Sequence, residues 1–238
     1  MTVDASLAES AGMIKKINVY TYTGEVEAVA AGDANTVRGS ISFETVPYEV
    51  AVYQQVADYT DEDAMQDNRV VDMILEGAST TMVNDLNTKF FAELAKATLE
   101  QEYANGESIS YDVVVDAISK MNLESEDGLF LVIGTDLKAA IRKDADFKAK
   151  ELGKVIADGA IGTLSGVPVI VSKLVPEGVA YLAHPSAVTL FVKKDSEVEQ
   201  ARDAEKRTNT VIMRRVGLCA LTDATKIVKI LEAEAEEG

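Results

Sequence analysis

Between residues 69 and 100 the apolar side chains Val71, Leu75, Ala78, Met82, Leu86, Phe90 and Leu94 recur every three or four positions. That spacing lines up one face of an α-helix, and at 1.5 Å of rise per residue it predicts a rod roughly 45 Å long. The opposite face carries Asn84, Asp85, Asn87, Lys89, Glu93 and Lys96. One side of this helix therefore packs and the other is wet or meets a partner. Just upstream, Thr60 followed three residues later by Asp63 reads as a capping box, and Asp61, Glu62 and Asp63 complement the dipole of the helix that begins there.

What precedes the helix is β-prone and short of cover. Residues 17–23 and 37–43 favour strands and are separated by a run of small, turn-forming residues from Ala30 to Asn35, which predicts a long hairpin with a flexible tip. An isolated hairpin is marginal in water. Too little sequence lies nearby to cover both faces, so a contact with another molecule is expected. Residues 45–56 alternate apolar and polar as one half-buried strand running into the helix start.

A second lobe begins after Asn105 and Gly106. Val114, Ala117, Ile118 and Met121 predict a helix over 111–121, residues 129–133 a buried strand, and Thr135 or Asp136 caps a helix through about Arg142. Residues 164–171 give a glycine turn feeding a strand, and 179–183 another. After His184 and Pro185 the chain is strand-rich over 187–192, 198–202, 210–221 and 226–231.

Length and composition permit a real core: 238 residues, 47% hydrophobic, with only 4 prolines. The net charge of −17 argues against a dedicated nucleic-acid-binding domain, since phosphate contacts need clustered Lys and Arg. The acidic run 232–237 reads as a solvated terminus. With no stretch approaching ~18 consecutive apolar residues and no secretory signal, the chain is expected to be soluble and cytosolic, with no membrane partner. The single cysteine, Cys219, lies in an apolar run and reads as a buried, unreactive thiol.

The usual catalytic groups are sparse. The only histidine, His184, precedes a proline without a Ser, Cys or acid motif beside it and reads as structural. Asp58, Asp61, Glu62, Asp63 and Asp67 invite a calcium reading, but the EF-hand spacing fails and capping accounts for three of them. Gly159, Gly162 and Gly166 resemble a phosphate loop, yet neither Lys-Ser/Thr nor a helix follows; Pro168 and a β-run do. One His and one Cys do not make a zinc set. No catalytic residue, cofactor or metal is assigned, and a structural or binding role is expected over an enzyme.

The order of parts is a β-hairpin, a long helix opening with acids, an α/β lobe containing Gly166, Val167, Pro168 and Val169, and returning strands that end in the apolar run after Arg214 and Arg215. From about Val3 to Ile230 this order resembles the major capsid proteins of tailed bacteriophages, the Hong Kong 97-type fold shared with encapsulins. Residues 164–172 are similar to that family's Gly-x-Pro-Val strand start, and 214–221 to its late basic strand followed by an apolar one, with residues 3–12 ahead of the hairpin. The resemblance implies an α+β fold. It places an N-terminal arm and leading strand over residues 1–23 and an extended loop over 24–50. A peripheral domain with the long helix then takes 51–101 and 197–216, and an axial α/β domain 102–196 and 217–238. Family members carry a longer N-terminal arm than the dozen residues here, so either the arm is short or a leading segment has been removed.

The resemblance further implies a non-enzymatic shell subunit that assembles with itself into pentamers and hexamers around double-stranded DNA. It also implies assembly in the bacterial cytoplasm, residence in the virion, and portal and scaffolding proteins as partners, with DNA contacted only non-specifically. An encapsulin-like compartment and, further off, a carboxylate-using α/β enzyme are the alternatives. Arg38, Arg214 and Arg215 are separated along the chain from Asp61, Glu62 and Asp63, which motivates the expectation that these residues pair between neighbouring subunits.

Overall fold

A computed structural model describes residues 1–9, 11–30, 34–143 and 162–233. The capping box forms as the sequence predicts. The Thr60 hydroxyl accepts from the Asp63 N–H at 3.1 Å, and the Asp63 carboxylate accepts from the Thr60 N–H at 3.0 Å, opening the short helix α1 (Asp61–Gln66). The long helix α2 (Val70–Leu94) follows, 25 residues and about 38 Å in length. It ends earlier than the periodicity predicts, because residues after Ala97 leave the helix to form β5 (Leu99–Tyr103), which pairs in parallel with β12 (Ile227–Glu232). Tertiary pairing overrides the helical preference of Leu, Glu and Gln there.

Three sheets organise the rest of the described residues. A six-stranded sheet has the order β5, β12, β9 (Val179–Ala183), β6 (Phe130–Ile133), β8 (Val167–Val171), β7 (Thr163–Leu164). Its strands alternate between two cores. Leu131, Ile133, Ala180, Leu182, Val228 and Ile230 face one cluster, shared with α3 (Tyr111–Met121) and α4 (Thr135–Lys143). Val132, Tyr181, Ala183 and Ile227 face the other, which Leu94 and Phe90 at the end of α2 complete. Ser165 (φ 54°) and Gly166 (φ 79°) both sit in the left-handed region between β7 and β8, the signature of a type I′ hairpin turn. The glycine there is a turn residue feeding a strand, as the sequence indicates.

The second sheet has the order β1 (Thr2–Asp4), β10 (Val188–Asp203), β11 (Thr208–Leu221), β4 (Ala51–Thr60). Two separate strands are expected at 187–192 and 198–202; one 16-residue strand spans them, with register shifts between Val192 and Lys194 and between Lys194 and Glu197. Lys and Asp between the two apolar runs are carried on bulged backbone rather than in a loop. Gly217 is needed where β11 crosses β10: a Cβ there would stand 2.6 Å from the Phe191 carbonyl oxygen. Helix α2 covers part of one face of this sheet through Ala78 and Met82 against Met213 and Tyr53.

The third sheet is the hairpin itself, β2 (Ile14–Thr23) paired antiparallel with β3 (Ser40–Glu49) in ten consecutive pairs from Ile14↔Glu49 to Thr23↔Ser40. The alternating run 45–56 is therefore two strands in different sheets. The break falls at Val50, whose side chain is buried with Leu7, Phe191 and Ala220 while its N–H donates to the Met13 carbonyl at 2.8 Å. Gly159, residues 31–33 of the hairpin tip and residues 234–237 of the acidic run lie outside the described residues.

Candidate functional site

Among the described residues the hairpin is tied to the body at its base. Ile17 and Tyr48 pack on the cluster of Leu7, Val50, Phe191 and Ala220, the Tyr48 hydroxyl donates to the Leu221 carbonyl at 3.2 Å, and Lys15 reaches Asp4 at 3.5 Å. Beyond that anchor, residues 18–23 and 40–45 are exposed on both faces. Register puts Tyr20 opposite Phe43 and Tyr22 opposite Ile41, on one face. The Tyr20 and Phe43 rings lie 5.9 Å apart, yet the four side chains remain 61 to 71% exposed. Four large apolar groups in a contiguous exposed row mark an interaction surface. Sequence reading located the hairpin and its need for a partner but did not single out these four residues. The signal was available in the paired alternation of Tyr20 and Tyr22 with Ile41 and Phe43.

The six residues nominated for contacts between subunits divide sharply. Asp61 accepts from Asn209 at 2.8 Å and Arg202 at 2.7 Å, and these bonds, Asn209 first, hold its carboxyl below the usual range. Glu62 pairs with Arg207 at 2.6 Å. Asp63 is consumed by the capping box, whose hydrogen bonds from Thr60 lower its pKa as well. Arg214 bridges Glu197 and, at 2.8 Å, Glu199 on the neighbouring strand. Arg215 is buried, 3.7 Å from Asp85 and stacked over Tyr53 at 5.3 Å. Arg38 is exposed on the distal side of the hairpin and has no ion-pair partner among the described residues. The acids at the helix start and the two late arginines thus sit on one sheet-and-helix body, each engaged within the chain, and Arg38 stands apart from them on the hairpin. Tyr59, Asp61, Ala64, Met65, Arg202 and Asn209 line an open depression of about 430 Å³ beside α1.

The remaining polar groups are structural in their geometry. His184 Nδ1 meets Ser186 Oγ at 2.7 Å and accepts from the Ser186 N–H, capping a short 3-10 turn over Pro185–Ala187. Cys219 is buried among apolar side chains, and burial pushes its thiol up to about 11. Tyr103 donates to the Gly178 carbonyl at 3.0 Å and Asp136 accepts from the Gly178 N–H at 2.8 Å, stitching the ends of β5 and β6 to the loop before β9. Burial, then Glu232 and Asp136, push the Tyr103 hydroxyl to about 12. Among the described residues no cluster of three or more His, Cys, Asp or Glu side chains is placed to hold a metal, and no helix is long and apolar enough to cross a membrane.

Two sheets joined by the long helix α2, with the hairpin as a third, two-stranded sheet, superpose on solved phage capsids of the Hong Kong 97-type fold. The mature capsid of bacteriophage PhiM1 superposes with a TM-score of 0.77 at 11% identity, over 98% of this chain and 86% of that one. The capsid of cyanophage P-SCSP1u superposes at 0.76 with 12% identity, over 98% and 86%. The chain belongs to the phage capsid protein family, whose model matches residues 43–230. It is also 34% identical over 118 residues to the major capsid protein of Staphylococcus phage phiMR11, covering 48% of this chain and 43% of that protein. The chain thus spans less than half the length of that relative in the matched region.

Proposed function

We propose that this chain is the shell-building major capsid subunit of a tailed bacteriophage, assembling with copies of itself into pentamers and hexamers around double-stranded DNA and catalysing no reaction. The observation that carries the reading is the hairpin: ten paired residues project from the body with Tyr20, Tyr22, Ile41 and Phe43 exposed, a surface that gains burial only from another molecule. Family membership makes that molecule another capsid subunit. Assembly takes place in the host cytoplasm and the product resides in the virion. Residues 24–50 act as the extended loop, 51–101 with 197–216 as the peripheral domain, and 102–196 with 217–238 as the axial domain. The second and third pieces divide inside continuous strands, close to the register shift between Lys194 and Glu197 and to Gly217. DNA, given the net charge of −17, is enclosed rather than gripped.

Of the charged contact residues, Arg38 is the one whose charge is uncommitted, and its proposed partners are Asp61, Glu62 and Asp63 of a neighbour, beside the open depression at α1. Purified protein analysed by size-exclusion chromatography with light scattering and negative-stain electron microscopy tests the main reading. Closed shells or rings of five and six are expected; a discrete small oligomer that never grows would refute it. Charge reversal, Arg38→Glu, is expected to lower the yield of particles, and unchanged assembly would remove Arg38 from the contact.

A further inference from the structure

Asn105 and Gly106, which open the second lobe, form a turn whose chemistry the shell reading does not use. Of the chain's asparagines only Asn105 is followed by glycine. An Asn-Gly pair is the one most open to spontaneous deamidation, because glycine has no Cβ to keep its nitrogen away from the neighbouring side-chain amide. The Gly106 nitrogen attacks Asn105 Cγ, the new C–N bond closes a succinimide ring, and Nδ2 leaves as ammonia with the proton that Gly106 gives up. Water then opens the ring at one carbonyl or the other. The product is aspartate, or isoaspartate with the backbone routed through the former side chain.

In the fold this turn is guarded. The Glu107 N–H donates to the Ala104 carbonyl at 3.1 Å, and Gly106 lies at φ 76° in the third position, where a type II turn needs a residue that tolerates the left-handed region. The parallel pairing of β5 with β12 ends beside it, at Tyr103 and Glu232. The Gly106 N–H, whose nitrogen must attack, donates to Glu232 Oε1 at 2.8 Å. Asn105 Nδ2, the leaving group, donates to the Ala233 carbonyl at 3.2 Å. The Ala233 N–H in turn donates to the Tyr103 carbonyl at 2.8 Å. A carboxylate beside the Gly106 N–H opposes the loss of its proton, and both reacting groups are occupied by partners on the end of β12. Asn105 and Gly106 are nonetheless exposed, and β5 is an edge strand of its sheet, so opening here needs little of the fold to come apart.

We propose that Asn105 is a deamidation site guarded by the docked end of β12, and that its conversion leaves that end undocked. The amide donor gives way to an oxygen facing the Ala233 carbonyl, so two acceptors meet without a hydrogen between them. A second negative charge also stands beside Glu232. Isoaspartate lengthens the backbone of the turn by one carbon as well, which moves the Gly106 N–H off its partner. The step therefore runs one way: the guard opens, the amide is lost, and the same bonds do not re-form. This chemistry belongs to one turn of the subunit and goes beyond the shell reading.

The test follows the whole chain as free subunit in neutral buffer. Mass spectrometry of the peptide containing Asn105 reads the exchange of amide for acid, and a protein isoaspartyl methyltransferase detects isoaspartate. Position 105 is expected to convert before every other asparagine. Glu232→Ala leaves Asn105 and Gly106 in place and is expected to convert roughly tenfold faster, the factor that corresponds to losing one hydrogen bond to a charged group. The unaltered chain in denaturant sets the upper limit. Equal rates in all three would overturn the guard; slower conversion in Glu232→Ala would make Glu232 the base for the reaction and overturn it too. If Glu232→Ala does not fold, Glu232→Gln, which keeps the length and removes the charge, takes its place with the same expected direction. Hydrogen exchange then compares fresh chain, aged chain and Asn105→Asp. Exchange is expected to quicken over 99–103 and 227–233 in the last two, with α3 and β6 unchanged. Unaltered exchange over 227–233 in converted chains would overturn the undocking, and faster conversion of another asparagine would overturn the site.

Discussion

The α/β lobe and the hairpin solve opposite problems with similar residues. In the lobe, Leu131, Ile133, Ala180, Leu182 and Ile230 are fully buried between the six-stranded sheet and helices α3 and α4. In the hairpin, Tyr20, Tyr22, Ile41 and Phe43 are equally apolar and equally regular in spacing, and more than half of each is in water. A strand's alternation tells which residues share a face, not whether that face finds its cover within the same molecule. Among the described residues the lobe covers its apolar face from within the chain, and the exposed part of the hairpin does not.

The sharpest way to break this contrast is to truncate one residue in each. Ile230→Ala removes a buried side chain from the lobe and is expected to cost about 2–5 kcal/mol of folding stability, read by denaturant unfolding of the free subunit. Phe43→Ser in the exposed half of the hairpin is expected to change the same measurement by no more than about 0.5 kcal/mol while abolishing particle formation in the electron microscope. Equal losses of stability at the two sites would show that the hairpin packs within its own protomer.

Between these extremes lies the start of α1, where the cover is a pair of reciprocal hydrogen bonds. Thr60→Ala removes the hydroxyl that accepts from the Asp63 N–H and is expected to cost about 1 kcal/mol. The same corner gives a pH dependence. Asp61 and Asp63 are held below the usual carboxylate range by hydrogen bonds from Asn209 and Thr60 respectively. Their contribution is thus complete above about pH 4 and is lost as pH falls through the depressed folded values. Thermal unfolding followed from pH 6 downward should show the decline beginning near pH 4, and Thr60→Ala should flatten it. A decline of equal steepness in the variant would assign the acid sensitivity to other carboxylates, such as Glu197, which Lys194 and Arg214 hold low in the same way.

How much of this was legible in the sequence follows from the range of the interactions involved. The capping box, the helix over 111–121 and the turn at Gly166 are fixed by residues within a few positions of one another, and they appear where the sequence places them. The errors fall where distant pairing decides. Residues 99–103 are a strand because β12 lies beside them. Residues 45–56 are two strands because Val50 is drawn into a pocket made by Leu7, Phe191 and Ala220. Among the charged residues, spacing along the chain separated Arg214 from the acids at 61–63. It could not show that β10 brings Glu197 and Glu199 beside Arg214, or that β11 carries Asn209 to Asp61. Arg38 escapes such capture because it sits on the hairpin, away from the body that carries those acids.

The smallest expected effect tests whether α2, which bridges the self-sufficient lobe and the sheet beneath the hairpin, is optimised as a helix. Gly77 lies in its interior at an ordinary φ, and a Cβ added there would meet nothing within 4 Å. Glycine in a helix interior costs backbone entropy that alanine does not, so Gly77→Ala is expected to stabilise the free subunit by about 0.5–1 kcal/mol. The neighbouring Thr81 hydroxyl donates to the Gly77 carbonyl at 2.9 Å, a bond the substitution leaves in place. Because position 77 is exposed in the free protomer, the variant also reads the outer face of the helix after assembly. A gain in thermal stability of the subunit together with unchanged particle yield would put that face clear of close subunit contacts, leaving the hairpin to carry them. The same gain accompanied by lost assembly would instead place a neighbour's backbone against Gly77, where a single methyl group is enough to exclude it.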